Sequence, residues 1–313
     1  MRVAICGSMA FDTIMVFEGR FQEHILPDQV HILNVSFLVP GMRREFGGCA
    51  GNIAYNLKLL GGDPVPVATV GGDDAGVYFE RFADLGIDTR CVRPVPGSYT
   101  AQAFITTDKE NNQITAFHPG AMAQSHMARI ADAGSGIGLG IVGPDGKEGM
   151  VAHAREFLQA GIPFVFDPGQ ALPLFSGDEL LKLIDAAEYL AVNDYEGKLV
   201  QEKTGLPLDV LARRVKALVV TKGAEGSEVL CDGERIEVPC VQADAVVDPT
   251  GCGDAYRGGL LYGLANGLDW SSTARLSSLM GALKIARQGG QNHAPTQEEI
   301  SQRFLEAWGY RYE

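Results

Sequence analysis

Short apolar runs alternate with helical patterns through most of this 313-residue sequence, and this alternation limits the choice of fold most strongly. The runs have the length and composition of buried strands, and they cover residues 2–6, 65–70, 137–142, 163–166, 189–192 and 216–220. Helices are predicted over residues 51–60, 75–85, 149–160, 178–187, 253–266, 271–287 and 296–308. Strands that alternate with helices of this length pair in parallel. We therefore predict an α/β fold with a doubly wound, mainly parallel sheet flanked by helices.

Two β-rich stretches interrupt the alternation. In the first, residues 13–17 and 31–37 have the aromatic and β-branched content of strands, and in the second, residues 100–107 and 113–117 predict a hairpin. We predict that the two stretches pair into a small lid sheet. The predicted division is a large α/β domain over residues 1–11, 46–97 and 118–313, and a β-rich lid over residues 12–45 and 98–117.

Charge and cysteine content exclude several classes of partner. The net charge of −13 argues against nucleic acid and anionic membranes, because both require a basic surface. The six cysteines are scattered without zinc spacing, which is typical of free thiols in a reducing compartment. Residues 1–7 have a strand pattern rather than that of a signal peptide, and no apolar run has the length of a membrane span. We expect a cytoplasmic protein with a small-molecule partner.

A glycine-rich turn at residues 248–254 connects a strand-like run, residues 243–247, to the helix that follows. Gly251 and Gly253 allow backbone N–H groups to turn toward a ligand, and the helix N-terminus favours an anion there. Asp254 would repel that anion, which is tolerable if its carboxylate accepts a proton from an attacking hydroxyl. The alternative is an acidic N-cap on an ordinary helix.

A second stretch, residues 43–54, crowds small residues at the start of a helix. Gly47 and Gly48 would let a ligand approach the backbone closely, and Asn52 can donate and accept hydrogen bonds, as a vicinal diol requires. The alternative for Asn52 is a capping or turn residue. Two other nucleotide motifs are excluded: no P-loop sequence occurs, and the glycines at 138, 140 and 143 lie inside a predicted strand rather than after one.

Together these stretches resemble a known family. Residues 47–54, with Gly61 and Gly71 beyond them, are similar to the N-terminal signature of the ribokinase-like PfkB carbohydrate and nucleoside kinases. Residues 248–254 are similar to the C-terminal signature, although Cys252 stands where the family more often has Ala or Gly. Both signatures occur in the family's order on the expected fold pattern, and the resemblance covers essentially the whole chain. Within the family, the sequence resembles the adenosine and nucleoside kinase branch most.

The resemblance implies catalytic and substrate-binding roles. Asp254 matches the general base. The N–H groups of Gly251, Cys252, Gly253 and Asp254 match the anion hole for the γ-phosphate of ATP. Asp12 matches the acid that grips substrate hydroxyls at the hinge, although a turn residue at a strand end is the alternative. The substrate side of the site would comprise Asp12, Gly47, Gly48, Asn52 and Phe117.

The resemblance also implies a cofactor side in the large, nucleotide-binding domain. Asn193 and Glu196 match a motif that holds Mg²⁺ through water, and they also have the spacing of a capping box. Thr221, Gly223 and Gly226 resemble the loop under the ATP phosphates and ribose, and Asn292 falls in the region that lines the adenine pocket. Part of the family also uses a monovalent cation.

For three further residues, the sequence favours no role in the site or leaves the role undecided. His293 is expected at the surface rather than in a pocket wall. Arg257 would contact a phosphate or Asp254, or else pair with another acid. In residues 167–169, Gly169 replaces an Asn that is frequent in the family, which leaves that phosphate contact unsupported.

The aromatic residues of the lid decide the expected substrate. Such rings stack on purines, and the sequence supplies Phe11, Phe37, Phe104 and Phe117. We therefore expect phosphorylation of a nucleoside, with the 5′-hydroxyl of adenosine as the first choice and a sugar kinase of the same family as the alternative. A nucleotide sensor without catalysis or a lid that serves as an interaction module explains Asp254 and the glycine turn less well. The same aromatics would also suit a homodimer formed through the lid strands.

Overall fold

The computed structural model describes residues 1–25, 34–110 and 112–312. Its strands are β1 (Arg2–Cys6), β2 (Ala10–Val16), β3 (Gly41–Gly47), β4 (Asp63–Gly71), β5 (Val92–Val95), β6 (Ala101–Thr107), β7 (Gln113–His118), β8 (Ile137–Val142), β9 (Phe164–Phe166), β10 (Tyr189–Asn193), β11 (Ala217–Thr221), β12 (Ser227–Cys231) and β13 (Glu234–Val238). Its helices are α1 (Cys49–Leu59), α2 (Gly76–Asp84), α3 (Lys147–Ala160), α4 (Gly177–Ala186), α5 (Asp194–Thr204), α6 (Leu208–Ala212), α7 (Cys252–Asn266), α8 (Trp270–Ile285) and α9 (Gln297–Trp308).

A nine-stranded sheet in the order β13-β12-β11-β10-β9-β8-β1-β4-β5 forms the centre of the described structure. Its pairings are parallel except those of β12 with β11 and β13, so the predicted doubly wound, mainly parallel sheet is confirmed. The chain winds from β1 toward β5 on one side and from β8 toward β13 on the other. Ligands bind where the winding direction reverses, outside the carboxyl ends of the strands. In this sheet, that point lies between β1 and β8.

A second sheet of four strands has the order β3-β2-β6-β7. The predicted hairpin is confirmed as the antiparallel pair β6–β7, and β2 and β6 join the two β-rich stretches in parallel. The strand predicted over residues 31–37 is wrong where it can be compared: residues 31–33 lie outside the described residues, and residues 34–37 form no strand. The ring of Phe37 instead packs on Phe17 and Phe21, with centroid distances of 4.9 and 5.0 Å. Burial of this ring, rather than strand pairing, accounts for the apolar pattern.

The strand-like run at residues 243–247 is also not a strand. Val246 is 80% exposed, and the run crosses the surface toward the end of α8, where Val247 N–H donates to Ile285 O at 2.9 Å. Hydrophobic side chains alone do not make a strand here, because the backbone has no neighbouring strand to pair with. Every helix in the described ranges is too short or too polar to cross a lipid bilayer.

Apolar side chains cover both faces of the large sheet, and a further cluster lies among α7, α8 and α9. The glycines of α7 allow close contact with α8, since a Cβ at Gly259 would lie 2.6 Å from Ser277 Cα and one at Gly263 would lie 2.4 Å from Thr273 Oγ1. Gly140, inside β8, faces the ring of Phe157, and a Cβ at Gly140 would lie 2.1 Å from Cζ of that ring. The glycines of α7 and Gly140 therefore serve packing.

Candidate active site

A cavity of about 470 Å³ lies between the two sheets, at the carboxyl ends of β1 and β8. Its floor comes from the loops after these strands and from the first turns of α1 and α7, and its roof comes from β6 and β7. The two glycine-rich stretches, residues 43–54 and 248–254, therefore both contribute to this cavity. The lining residues are Ser8, Ala10, Asp12, Gly48, Cys49, Asn52, Ala103, Ile105, Thr115, Phe117, Met122, Pro144, Asp145, Gln170, Ala171, Leu174, Thr250, Gly251 and Asp254.

Asp254 and Asn52 are joined directly in the floor of the cavity. The Nδ2 of Asn52 donates to Oδ2 of Asp254 at 2.8 Å, and Asn52 Oδ1 accepts from Gln291 Nε2 at 3.1 Å. Burial raises the pKa of Asp254 to about 6, the charge of Asp167 adds to the rise, and the Asn52 hydrogen bond opposes it. A carboxylate with this pKa is mostly ionised at pH 7, so it can accept a proton.

The backbone before Asp254 forms a turn suited to an anion. Gly251 is the N-cap of α7 and has a φ of 77°, a conformation that favours glycine. Cys252 N–H donates to Pro249 O at 3.1 Å, which closes the turn. The N–H groups of Gly251 and Gly253 are thus left for an anion, together with that of Asp254, whereas Cys252 N–H is already used. The anion hole therefore stays a prediction, with Cys252 N–H already bonded to Pro249 O.

Asp12 lies on β2, where it pairs with Glu45 of β3. Burial, together with the charges of Asp248 and Glu45, raises the pKa of Asp12 to about 6. Gly47 packs against the Asp12 carboxyl, since a Cβ there would lie 2.5 Å from Oδ2. Gly48 has a φ of 84°, and a Cβ there would lie 2.6 Å from the backbone of Ser8 and Ala10. The two glycines therefore let the end of β3 approach Asp12 and the segment between β1 and β2 closely.

Of the four aromatic residues expected over the substrate, the structure brings one to the cavity. Phe117 lines the roof and is 52% exposed. Phe11 is buried under the Arg44 guanidinium, which lies 3.6 Å from the ring centroid. Phe104 is exposed outside the cavity lining, and Phe37 packs on Phe17. For Phe11, Phe104 and Phe117, strand alternation explains the outcome, because neighbouring residues of a strand point to opposite faces.

A buried ion pair lies near the glycine-rich turn of residues 248–254. Arg257 donates from Nε to Asp167 Oδ2 at 3.0 Å and from Nη2 to Oδ1 at 3.2 Å, and both side chains are almost fully buried. Of the two interpretations of Arg257, pairing with a neighbouring acid is the one observed. The charge of Arg257 also lowers the pKa of Asp254, although burial is the larger effect on that carboxyl.

Asn193 and Glu196 form the capping box of α5: Asn193 Oδ1 accepts from Glu196 N–H, and Glu196 Oε2 accepts from Asn193 N–H, both at 2.7 Å. Burial raises the pKa of Glu196, and the nearby charge of Asp167 adds to it. A cation would relieve this unfavourable carboxylate environment. No cluster of three or more acidic, His or Cys side chains suited to a metal occurs among the described residues. The residues present therefore fit a Mg²⁺ that keeps most of its water ligands.

All residues predicted for the cofactor side lie outside the cavity lining, Asn193 and Glu196 included. Thr221 ends β11, and Gly223 and Gly226 follow it with φ values of 56° and 91°. Asn292 Nδ2 donates to Glu45 Oε2 at 2.7 Å, so this residue contacts the second sheet. The expectation that His293 is a surface residue is wrong: His293 is 2% exposed, and its Nε2 lies 2.7 Å from Asn56 Oδ1. Burial lowers the pKa of His293 to about 4.

Several residues of the site were missed by sequence reasoning. Ser8 Oγ accepts from Cys49 N–H at 3.1 Å and ties the end of β1 to α1. Asp145 follows β8, is buried, and has an Oδ2 without a hydrogen-bond partner, and burial raises its pKa to about 8. Gln291 bridges Asn52 and Tyr78. Ser8 follows β1 and Asp145 follows β8, the two strands at which the winding direction of the sheet reverses. Their positions after these strands could have identified them as site residues from the sequence.

Comparison with known proteins agrees with this geometry. The model of the pfkB family carbohydrate kinases matches residues 9–297. A nucleoside kinase from Methanocaldococcus jannaschii is 31% identical over 272 residues, which cover 87% of this chain and 89% of the relative. The structure of Burkholderia thailandensis nucleoside kinase in complex with inosine is 57% identical, with a TM-score of 0.90 and 99% of both chains covered. The same kinase in complex with ADP-inosine is 59% identical, with a TM-score of 0.88 and coverage of 99% and 97%. The chain therefore belongs to the pfkB family of carbohydrate kinases, in its nucleoside kinase branch.

Proposed function

We propose that this kinase transfers the γ-phosphate of ATP to the 5′-hydroxyl of a purine nucleoside. The observation that carries the proposal is that Asp254, Gly251 of the glycine-rich turn and the ring of Phe117 line one and the same cavity. Its volume of about 470 Å³ falls in the range of small-molecule sites. Ile105, Phe117 and Leu174 are among its apolar lining residues, and they suit a flat heterocycle better than a sugar alone.

In the proposed reaction, Asp254 accepts the proton of the 5′-hydroxyl as the hydroxyl oxygen bonds to the γ-phosphorus. The bond from the γ-phosphorus to the β–γ bridging oxygen breaks, and ADP leaves. Asn52, hydrogen-bonded to Asp254 at 2.8 Å, keeps the carboxylate oriented toward the cavity. The N–H groups of Gly251 and Gly253 stabilise the charge on the transferred phosphoryl group. Asp12, with Gly47 and Gly48 beneath it, would accept hydrogen bonds from the ribose hydroxyls.

The cofactor side completes the proposal. Thr221, Gly223, Gly226 and Asn292 would line the ATP site, and Asn193 and Glu196 would hold Mg²⁺ through water. When bound, Mg²⁺ neutralises charge on the phosphate oxygens. The raised pKa of Glu196, caused by burial and then by Asp167, supports a cation in this region.

The identity of the base is the open part of the proposal. The sequence analysis favours adenosine, whereas the similar Burkholderia kinase is bound to inosine. Initial rates of ADP formation with Mg·ATP should be compared for adenosine, inosine, guanosine, cytidine, ribose and fructose. We expect purine nucleosides to have kcat/KM values far above those of free sugars. Turnover of ribose or fructose at equal efficiency would favour the sugar-kinase alternative, and no turnover with any acceptor would refute the proposal.

Two further proposals concern the second sheet. We propose that residues 12–45 and 98–117 act as a lid on the large domain, and that the exposed face of β7 forms a homodimer with a second copy. Exposed apolar side chains at Phe104 and Ile114, on the face of this sheet away from the cavity, support a partner there. Light scattering after size exclusion tests the dimer, and charged substitutions at Phe104 and Ile114 should shift it to monomer. A cytoplasmic location remains a prediction.

A further inference from the structure

Lys284 is a buried charge that the proposed reaction does not use. It lies in the last turn of α8 and is 0% exposed, which is rare for a lysine. Its Nζ donates to Asp248 O at 2.6 Å and to Arg287 O at 3.2 Å. A buried ammonium needs such acceptors, because burial of an uncompensated charge is costly. One of the two carbonyls belongs to Asp248, the first residue of the glycine-rich turn.

Asp248 is held from several sides, and most of these contacts come from the end of α8 or just after it. Asp248 N–H donates to Ile285 O at 3.1 Å, and the Asp248 carboxylate accepts from Gly289 N–H at 2.8 Å. The same carboxylate accepts from Thr250 N–H at 2.9 Å, inside the turn itself. The conformation of residues 248–254 is thus fixed at its start by residues 284–289. Of the three residues in this range that contact Asp248 here, Lys284, Ile285 and Gly289, Lys284 is the charged one.

The charges around Lys284 connect it to the site. Burial lowers the pKa of Lys284, and the charges of Asp248 and Asp254 oppose that effect. A lysine ammonium is a compact point charge with three donors. Because two backbone carbonyls accept from this ammonium, it resembles a monovalent cation fixed to the protein by its own side chain. Its positive charge lies next to Asp248, at the start of the turn that would bind the phosphate anion.

We propose that Lys284 is a positioning residue for phosphoryl transfer, and that its ammonium acts as a built-in monovalent cation that holds residues 248–254 in their anion-binding conformation. The proposal rests on the proposed kinase function, because its readout is phosphoryl transfer. A merely structural lysine at a helix C-terminus would stabilise α8 through the helix dipole. That alternative predicts a loss of stability without a specific loss in the use of ATP.

Three variants separate charge, hydrogen bonding and space. Lys284→Gln keeps donors for the two carbonyls and removes the charge, Lys284→Arg keeps the charge, and Lys284→Ala opens a space at the site. We expect Lys284→Gln to lower kcat/KM for ATP about 10- to 100-fold, with KM for the nucleoside unchanged. Lys284→Arg should keep most of the activity. Thermal unfolding of each variant shows whether it is folded.

Chemical rescue provides the sharper measurement. For Lys284→Ala, added ammonium or potassium chloride should restore part of kcat, whereas tetramethylammonium chloride at the same ionic strength should not, because its bulk excludes it. The wild-type enzyme should respond to none of these salts beyond their ionic strength. This comparison uses the same chain, substrate and assay throughout.

Each outcome decides the proposal. A folded Lys284→Gln variant with wild-type kcat/KM for ATP overturns it, and so does a folded Lys284→Ala variant that neither ammonium nor potassium improves. If the Gln and Ala variants do not fold, Lys284→Arg decides: a folded Arg variant with most of the activity supports the proposal, and an inactive one overturns it. Absence of activity in the wild type would instead refute the kinase proposal itself.

Discussion

The side-chain amide of Asn52 donates a 2.8 Å hydrogen bond to the carboxylate of Asp254, across 202 positions of the sequence. This bond joins the first turn of α1 to the first turn of α7, so the two glycine-rich stretches form one unit. It also stabilises the ionised form of Asp254, because a donor lowers the pKa of the carboxyl that accepts from it. The expected effects of substitution at either residue follow from this relationship.

Replacement of Asp254 by Asn should remove the proton acceptor and keep the shape of the site. We expect kcat to fall by about 10²- to 10⁴-fold, the usual contribution of a general base, with little change in ATP affinity. Steady-state kinetics and calorimetric titration with ATP measure the two quantities. A variant with near-normal kcat would exclude Asp254 as the base.

Replacement of Asn52 by Ala should move the pH profile of the enzyme. The wild-type kcat/KM should decrease as pH falls through about 6, the pKa of Asp254, because the protonated acid cannot accept a proton. Loss of the Asn52 donor raises that pKa, so the decrease should begin at a higher pH in the variant. Profiles recorded between pH 5 and 9, with KM for the nucleoside measured at each pH, test this. An unchanged acid limb would contradict the coupling.

Replacement of Gly47 by Ala should disturb substrate binding through Asp12. The new Cβ would lie 2.5 Å from Asp12 Oδ2, so the carboxyl must move from the position that faces the cavity. We expect KM for the nucleoside to rise about tenfold. Gly76→Ala is the matched control, because a Cβ at Gly76 meets nothing within 4 Å. Equal KM values for the two variants would remove Asp12 from the ribose site.

Replacement of Phe117 by Ala should weaken nucleoside binding, since the ring lines the roof of the cavity. A rise in KM of about 3- to 10-fold is expected from the loss of stacking. Phe104→Ala serves as the control, because Phe104 is also on the second sheet and exposed but does not line the cavity. A larger effect at Phe104 than at Phe117 would place the base elsewhere.

Replacement of Arg257 by Met should destabilise the protein, because it leaves Asp167 buried without its partner. The expected loss is about 3–5 kcal/mol in the free energy of unfolding, the usual cost of breaking a buried ion pair. The double variant Arg257→Met with Asp167→Leu should lose less than the sum of the two single variants. Urea denaturation of all four proteins provides the cycle, and additive losses would show that the pair is not coupled.

The sequence was sufficient for the six inner strands of the large sheet, because these strands are buried on both faces and read as continuous apolar runs. The short strands β5, β12 and β13 at the two edges of that sheet were missed. In the second sheet, β3 was missed because its charged residues Arg43, Arg44 and Glu45 give no apolar alternation. Pairing partners, which a single sequence does not state, decide such strands.

For the candidate site, motifs located the glycine turns and Asp254, since their chemistry depends on adjacent residues. Contacts over long sequence separations were beyond reach. The pairing of Arg257 with Asp167 and the burial of His293 against Asn56 depend on how α7 and the C-terminal segment pack. Likewise, the cavity includes Phe117 and excludes Phe104 only because of the register of β6 and β7.

The coil before α9 has a consequence for protein engineering. Within three successive residues, Gln291 donates to Asn52, Asn292 donates to Glu45 of β3, and His293 lies against Asn56 of α1. A segment without regular secondary structure would ordinarily be chosen for a tag, a permutation break or a loop exchange. In this enzyme an insertion there would change the floor of the cavity, the second sheet and α1 together. Insertions are better placed at Gly161, where the chain turns at the surface and a side chain would meet nothing within 4 Å.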